Sequence, residues 1–285
     1  MASLWMLVAS LFFASMGVCV KLGAASFSSA ELVFYRGFIA AVLIGATIGV
    51  RRWSLRTPHV AAHFRRGLSG FVSLAMYFYA ISRLPLPTAV TLNYTAPLFL
   101  AGMLAVTGRE KVRPGLLLAL VVGFVGIALL LRPTFAGEQW VAGLVGLASG
   151  VTAAMAYWNV RELGALGEPE WRTVFYFSLF SALGGLPWMV TGQTLHAVGG
   201  QGLLLLLGVG GFGALAQLAM TRAYKYGKTL VSASLAYSTV VFSSLYGILI
   251  WDDQLDAFSW LGVGLVVGSG LLASQSARSA PAEQD

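Results

Sequence analysis

Residues 86–113 read LPTAVTLNYTAPLFLAGMLAVTGREKVR. From Thr88 to Thr107 the stretch is apolar for long enough, at 1.5 Å per helical residue, to cross the roughly 30 Å hydrocarbon core of a bilayer. Asn93, Tyr94, Thr95 and Pro97 stand inside it, and lipid cannot satisfy their polar and backbone groups. Proline lacks an amide hydrogen, so Pro97 is expected to leave the carbonyl of Asn93, four residues earlier, without its helical partner. That carbonyl and a side-chain amide at one depth predict a kinked span facing protein or a wet cavity. The stretch ends in a basic knot, Arg109, Lys111 and Arg113.

Much of this text recurs further along the chain. Tyr94 matches Tyr237 at a spacing of 143 residues, and the same ungapped register pairs Gly67 with Gly210 and Gly70 with Gly213. It also pairs Ala80 with Ala223, Leu92 with Leu235, Phe99 with Phe242, and Glu110 with Asp253. Apolar segments share a small alphabet, but agreement on one register over this distance indicates an internal duplication of about half the chain.

Composition narrows the class. The chain has 285 residues, 58% hydrophobic and 10% charged, with a mean hydropathy of +0.79. Soluble domains carry about 25% charged residues, so an all-α integral membrane protein is expected. The net charge of +7 does not indicate a nucleic-acid partner, because its basic residues lie in short runs between apolar segments. A single cysteine, Cys19, excludes an intramolecular disulfide and a cysteine metal cluster. The first apolar segment has no basic leader and no cleavage site, and reads as a retained helix.

Ten spans are expected, near 3–22, 30–50, 67–83, 88–107, 114–131, 140–162, 171–191, 202–222, 229–250 and 257–274. Residues 275–285 are read as a disordered tail. With both termini in the cytoplasm, fourteen of the eighteen Lys and Arg residues fall in inner connections. Lys21, Arg83 and Arg132 fall outside, and Arg36 alone is placed within a span. Two repeats are expected, at 1–136 and 137–274. Five spans each is an odd number, so the second repeat must enter the membrane the opposite way up. The basic knot after span 4 accordingly has Asp252, Asp253 and Asp256 as its counterpart after span 9. Inverted repeats of this kind serve alternating access around a site near the midplane.

At this point the chain resembles the drug/metabolite transporter superfamily, and in particular its ten-span EamA branch. The resemblance rests on the five-plus-five halves and on the arginine early in span 2, in Glu31-Leu-Val-Phe-Tyr-Arg36. It rests also on Tyr79-Ala80, Pro87-Thr88-Ala89, Tyr94-Thr95-Ala96-Pro97 and Gly108-Arg109-Glu110. Within that branch the chain is most similar to bacterial inner-membrane exporters of aromatic amino acids and related metabolites.

The residues themselves suggest a site between spans 3, 4, 8 and 9, with span 6 contributing. Its expected members are Ser73, Tyr77, Phe78, Tyr79, Asn93, Tyr94, Pro97, Trp158, Gln217, Ser234 and Tyr237. Tyr and Trp ordinarily occupy the headgroup belt, but Tyr94 and Tyr237 lie near the middles of their spans and need partners there. A wall of rings, hydroxyls and amides suits an amphipathic solute that is uncharged or zwitterionic. Core packing between helices is the competing reading for each residue alone. Ser28-Ser29-Ala30-Glu31 is a capping box, so Glu31 is expected to cap span 2 rather than carry protons; Lys21 could pair with it. Arg36 is expensive in lipid and should face the bundle, where it could hold the two halves together. Pro187, Gly210 and Gly211 are hinge candidates. Gly146/Gly150 and Gly264/Gly268 have the spacing that lets helices pack closely.

Acidic residues are missing from mid-span positions. That favours facilitated export over proton antiport. The histidines, His59, His63 and His196, are assigned to loops, so no metal site, cofactor or catalytic triad is expected. A small-molecule substrate, the bilayer and a monomeric state are the expected partners and assembly. Sugar-phosphate or nucleotide-sugar carriage is the first rival, opposed by the shortage of basic residues within spans. A proton-coupled antiporter and a membrane-embedded enzyme complete the alternatives.

Overall fold

A computed structural model describes residues 2–108, 113–134, 139–192 and 195–278. The described residues form helices throughout: α1 (Trp5–Gly23), α2 (Ser29–Arg51), α3 (Val60–Arg83), α4 (Leu86–Asn93), α5 (Ala96–Thr107) and α6 (Pro114–Leu131). They continue with α7 (Trp140–Ala165), α8 (Glu170–Gly192), α9 (Gly200–Tyr226), α10 (Thr229–Ala236), α11 (Ser238–Trp251) and α12 (Ala257–Arg278). Counting α4 with α5 and α10 with α11, these are ten spans in two inverted five-helix repeats. Among the described residues, nine spans are long and apolar enough to cross a bilayer by length and composition. The exception is α3, which begins at Val60 and takes in His63, Arg65 and Arg66.

Two sequence expectations change here. Arg65 and Arg66 belong to a helix rather than to a connection, and Arg66 is buried. Residues 275–278 extend α12 instead of opening the tail; the rest of that tail, and Arg109 and Lys111 of the basic knot, lie outside the described residues.

The duplication is visible in the helix ends. α3 stops at Arg83 and α9 at Tyr226, and α4 spans 86–93 where α10 spans 229–236. Both offsets equal the 143-residue spacing of the tyrosines. Packing obeys the same exchange. α6 lies on its counterpart α12, and α2 on its counterpart α8. α3 packs on α7 as α9 packs on α1, and α2 meets α9 as α8 meets α3. Even the caps correspond: Gly108 closes α5 at φ 62° and Asp252 closes α11 at φ 54°, aspartate being among the few L-residues that tolerate this region.

Glycine decides how closely these partners approach. A Cβ at Gly126 would lie 2.8 Å from the Gly262 carbonyl, and one at Gly262 would lie 2.6 Å from that of Gly126, so α6 and α12 touch backbone to backbone. Gly146 and Gly150 pack as expected, against Leu92 and the Thr95 region. Gly264 and Gly268 do not; both face open space. The hinge candidates lie within continuous helices. α9 runs unbroken through Gly210 and Gly211, and α8 through Pro187. Gly210 admits the Ile39 side chain, and Gly211 has no neighbour within 4 Å. The interruptions among the described spans fall in spans 4 and 9.

Candidate functional site

Span 4 is broken rather than kinked. After Asn93 the backbone bond from Thr95 reaches back only three residues, to Leu92 at 3.2 Å, and the Thr95 hydroxyl donates to the same carbonyl at 2.5 Å. Pro97 then occupies the first turn of α5, where a missing amide hydrogen costs nothing. The Asn93 carbonyl lies beside Gly150, 3.4 Å from where a Cβ would stand. The Asn93 side chain donates through Nδ2 to Ser149 Oγ at 3.0 Å. Ser73 donates to the Ser149 carbonyl at 2.9 Å. Asn93 therefore fastens the break to α7, and Ser73 fastens α3 to the same turn of α7.

Span 9 repeats the interruption in a milder form. Tyr237 donates its amide to Ser234 and accepts from Val240, three residues away on either side. The two breaks meet. Tyr94 and Tyr237 lie with ring centroids 6.4 Å apart, tilted at 45°, and Tyr157 stacks on Tyr224 at 5.4 Å. Tyr237 is fully buried, and the absence of a side chain at Gly123 makes room for its ring. The hydroxyls of Thr221, Tyr224, Ser234 and Tyr237 are buried without hydrogen-bond partners among the described residues. A native core rarely tolerates such a cluster, since each orphan costs about 1–3 kcal/mol.

The remaining expected residues divide. Tyr77 is half-buried against the Ala80–Leu84 cluster. Phe78 meets Trp188 edge-on at 6.0 Å and so packs α3 on α8. Tyr79 turns away from Tyr77 on the helix, is 41% exposed, and lies under Arg83; the structure does not bring it to the tyrosine pair. Trp158 borders a groove of about 610 Å³ between α3, α5 and α7, flanked by Arg65 and Glu162, which pair at 3.2 Å. Glu31 caps α2 through the expected box, and takes the backbone and ring nitrogens of His196 at 2.8 and 2.9 Å. Lys21 lies over Trp251 instead of reaching Glu31.

Arg66 is what the sequence reading missed. It is 3% exposed and donates to Gln217 Oε1 at 3.3 Å. Its guanidinium stands 4.0 Å from the centroid of Phe177, and that of Arg36 stands 6.0 Å from the same ring. Gly70 leaves room for the Arg66 head, and Gly213 borders Arg36 at ordinary contact distance, so a glycine pair of the duplication faces the arginine pair. A small cavity of about 10 Å³ lies against Arg36, Phe177, Ser178, Ser181, Gly213 and Gln217. Insertion scales put one arginine at mid-membrane at roughly 2.5–3.5 kcal/mol, and a desolvated cation–π contact returns about 2 kcal/mol. The signal was available. Arg66 precedes Ser73 by seven residues and Tyr77 by eleven, which places all three on one helical stripe.

At the same end of α3, one turn before Arg66, the buried Glu168 collects Thr57, Arg172 at 2.9 Å and His63 at 3.3 Å, while its carbonyl accepts from Lys225 at 2.8 Å. His63 is therefore a helix residue in a tether, not a loop residue. Burial alone would raise the Glu168 pKa, but the bonds from Thr57, Arg172 and His63 hold it below the ordinary value. A carboxyl depressed on folding stabilises above its unfolded pKa and loses that contribution as pH falls through the folded value. The Glu168 contribution should thus be level around neutrality and fall away on the acid side, giving the stability profile an acid limb. Glu168→Gln should lower neutral-pH stability by about 1–3 kcal/mol and flatten this acid limb in a denaturation series; an unchanged acid limb would refute the assignment.

Comparison with known proteins follows the architecture. The model of the EamA-like transporter family matches residues 1–132. The pseudopaline exporter CntI of Pseudomonas aeruginosa is 30% identical over 273 residues, covering 94% of this chain and 94% of the relative. The chain belongs to the EamA-like transporter family. This EamA-like transporter is also 28% identical to a riboflavin transporter of Vibrio cholerae, over 96% and 92% of the two chains. It is 21% identical to an S-adenosylmethionine uptake transporter of Rickettsia felis, over 97% and 93%. One crystal structure shares the fold at a TM-score of 0.85 and 21% identity, covering 97% of this chain and 98% of the other. Family and relatives are transporters, which sets the enzyme alternative aside. Among the described residues no group of His, Cys, Asp or Glu could hold a metal ion.

Proposed function

We propose that this EamA-like transporter exports small amphipathic metabolites, aromatic and other neutral amino acids foremost, across the bacterial cytoplasmic membrane by alternating access. The meeting of the two helix breaks at Tyr94 and Tyr237 carries this reading. Broken spans from opposed halves give each half a ring at the same depth, where unwound backbone can serve a solute. The halves divide at residues 136 and 137, and the excess of basic loops places both termini in the cytoplasm. Relatives named for pseudopaline, riboflavin and S-adenosylmethionine support solute carriage while differing in cargo and direction.

Transport runs down the solute's own gradient. Every acidic residue placed by the structure lies at a span end or in a connection, leaving the pathway without a carboxylate to carry protons. Proteoliposomes should show saturable counterflow of labelled phenylalanine and threonine, unchanged when a pH gradient is imposed. Strict dependence on that gradient would defeat the facilitative reading. Carriage of a sugar-phosphate in preference to either amino acid would replace the cargo class.

A further inference from the structure

Arg36 and Arg66 place two guanidinium groups on one phenyl ring inside the membrane. Neither has an ionic partner among the described residues, although Glu31, Glu162, Glu168 and Asp256 all have theirs. Arg66 makes one long bond, to Gln217, and its Nε and Nη1 remain unpartnered; so do Arg36 Nε and the Ser181 hydroxyl. Structural arginines in lipid pair with a carboxylate or with backbone carbonyls. These two repel each other and leave donors unused. A buried Arg66 and a partly buried Arg36 held in this way call for an anion from outside the chain.

We propose that Arg36 and Arg66 clamp the carboxylate of the transported solute, with Ser181 and Gln217 completing the site. The proposal rests on the export reading above and adds the chemical group by which cargo is held. The four unused donors match the roughly four lone-pair directions of one carboxylate. Arginine's planar fork suits that group better than an ammonium would. The cavity of about 10 Å³ has room for about one water, so a carboxylate enters only as α8 and α9 move apart from α2 and α3. Arg36 and Arg66 belong to the first half, Ser181 and Gln217 to the second. One anion therefore joins the halves and gains affinity as they close, which is the differential binding that a conformational switch requires.

The test uses the full-length protein in nanodiscs, with thermal stabilisation by phenylacetate, its neutral amide phenylacetamide, acetate, inorganic phosphate and chloride. Phenylacetate should stabilise at concentrations at least about tenfold lower than the amide. Arg36→Gln and Arg66→Gln should each abolish that difference, and Arg66→Lys should retain part of it. Should the glutamine variants not fold, the acid–amide comparison on unmodified protein still decides. Equal potency of acid and amide would overturn the clamp, as would folded glutamine variants that keep the preference. Chloride or phosphate acting as strongly as the acid would mark an inorganic-ion site and overturn the cargo assignment. Acetate matching phenylacetate, with no phenylalanine counterflow, would support the clamp and remove the aromatic cargo. Phenylalanine counterflow inhibited equally by phenylalanine and phenylalaninamide would do the reverse.

Discussion

Gly150→Val is expected to abolish counterflow and to lower stability by at least about 1–3 kcal/mol, the usual cost of overpacking. A side chain at this position would fall on the Thr95 hydroxyl and 2.8 Å from the Leu92 carbonyl. Those groups bond each other across the break in span 4, so the intruding atoms meet the groups that hold the interruption together. Backbone yields far less readily than the end of a flexible side chain. The neighbouring tether from Asn93 to Ser149 would be displaced with it. Gly211→Ala supplies the control, because that glycine has no neighbour within 4 Å. Denaturation midpoints and counterflow rates measured on both variants check this. Wild-type flux from folded Gly150→Val would mean that the break has no part in transport.

Tyr237 should respond in opposite ways to two substitutions. Tyr237→Ala removes a fully buried ring packed at Gly123 and against Tyr94. It is expected to cost about 3–5 kcal/mol and to reduce counterflow by at least an order of magnitude. Tyr237→Phe removes only a hydroxyl that has no partner among the described residues. Deleting an unsatisfied polar group relieves a desolvation cost, so stability should hold or rise by up to about 1 kcal/mol. Flux should nevertheless fall, because the same hydroxyl is available to a solute when the halves part. A Phe variant with unaltered transport would reduce Tyr237 to core packing.

Span 4 shows how far the sequence could be read. Pro97 announced a disturbance, and the polar residues before it placed the disturbance at mid-depth. The companion in span 9 carries no proline; Tyr237 and Ser238 give no local sign of interruption, and only the 143-residue register could have transferred it. Arg66 was hidden for another reason. A hydropathy boundary at Gly67 assigned it to a loop, whereas its side chain lies inward on the stripe of Ser73 and Tyr77. Gly264 and Gly268 show the converse failure, since spacing alone cannot tell which face of a helix meets a neighbour. The Glu168 tether was also out of reach. Only Arg172, four residues on, is a local partner; Thr57, His63 and Lys225 come from other segments, and no local pattern joins them.

The proposal that two opposed five-helix halves exchange access around Tyr94 and Tyr237 can be tested directly by pulsed electron–electron resonance on a Cys19→Ser background. One spin-label pair, at Leu86 and Leu249, reports one end of the bundle; the other, at Val106 and Tyr226, reports the opposite end. All four positions are well exposed. On adding phenylalanine at saturating concentration, the two distance distributions should move in opposite senses, one end closing as the other opens. Parallel movement at both ends, or no movement at either in protein that transports, would contradict the account.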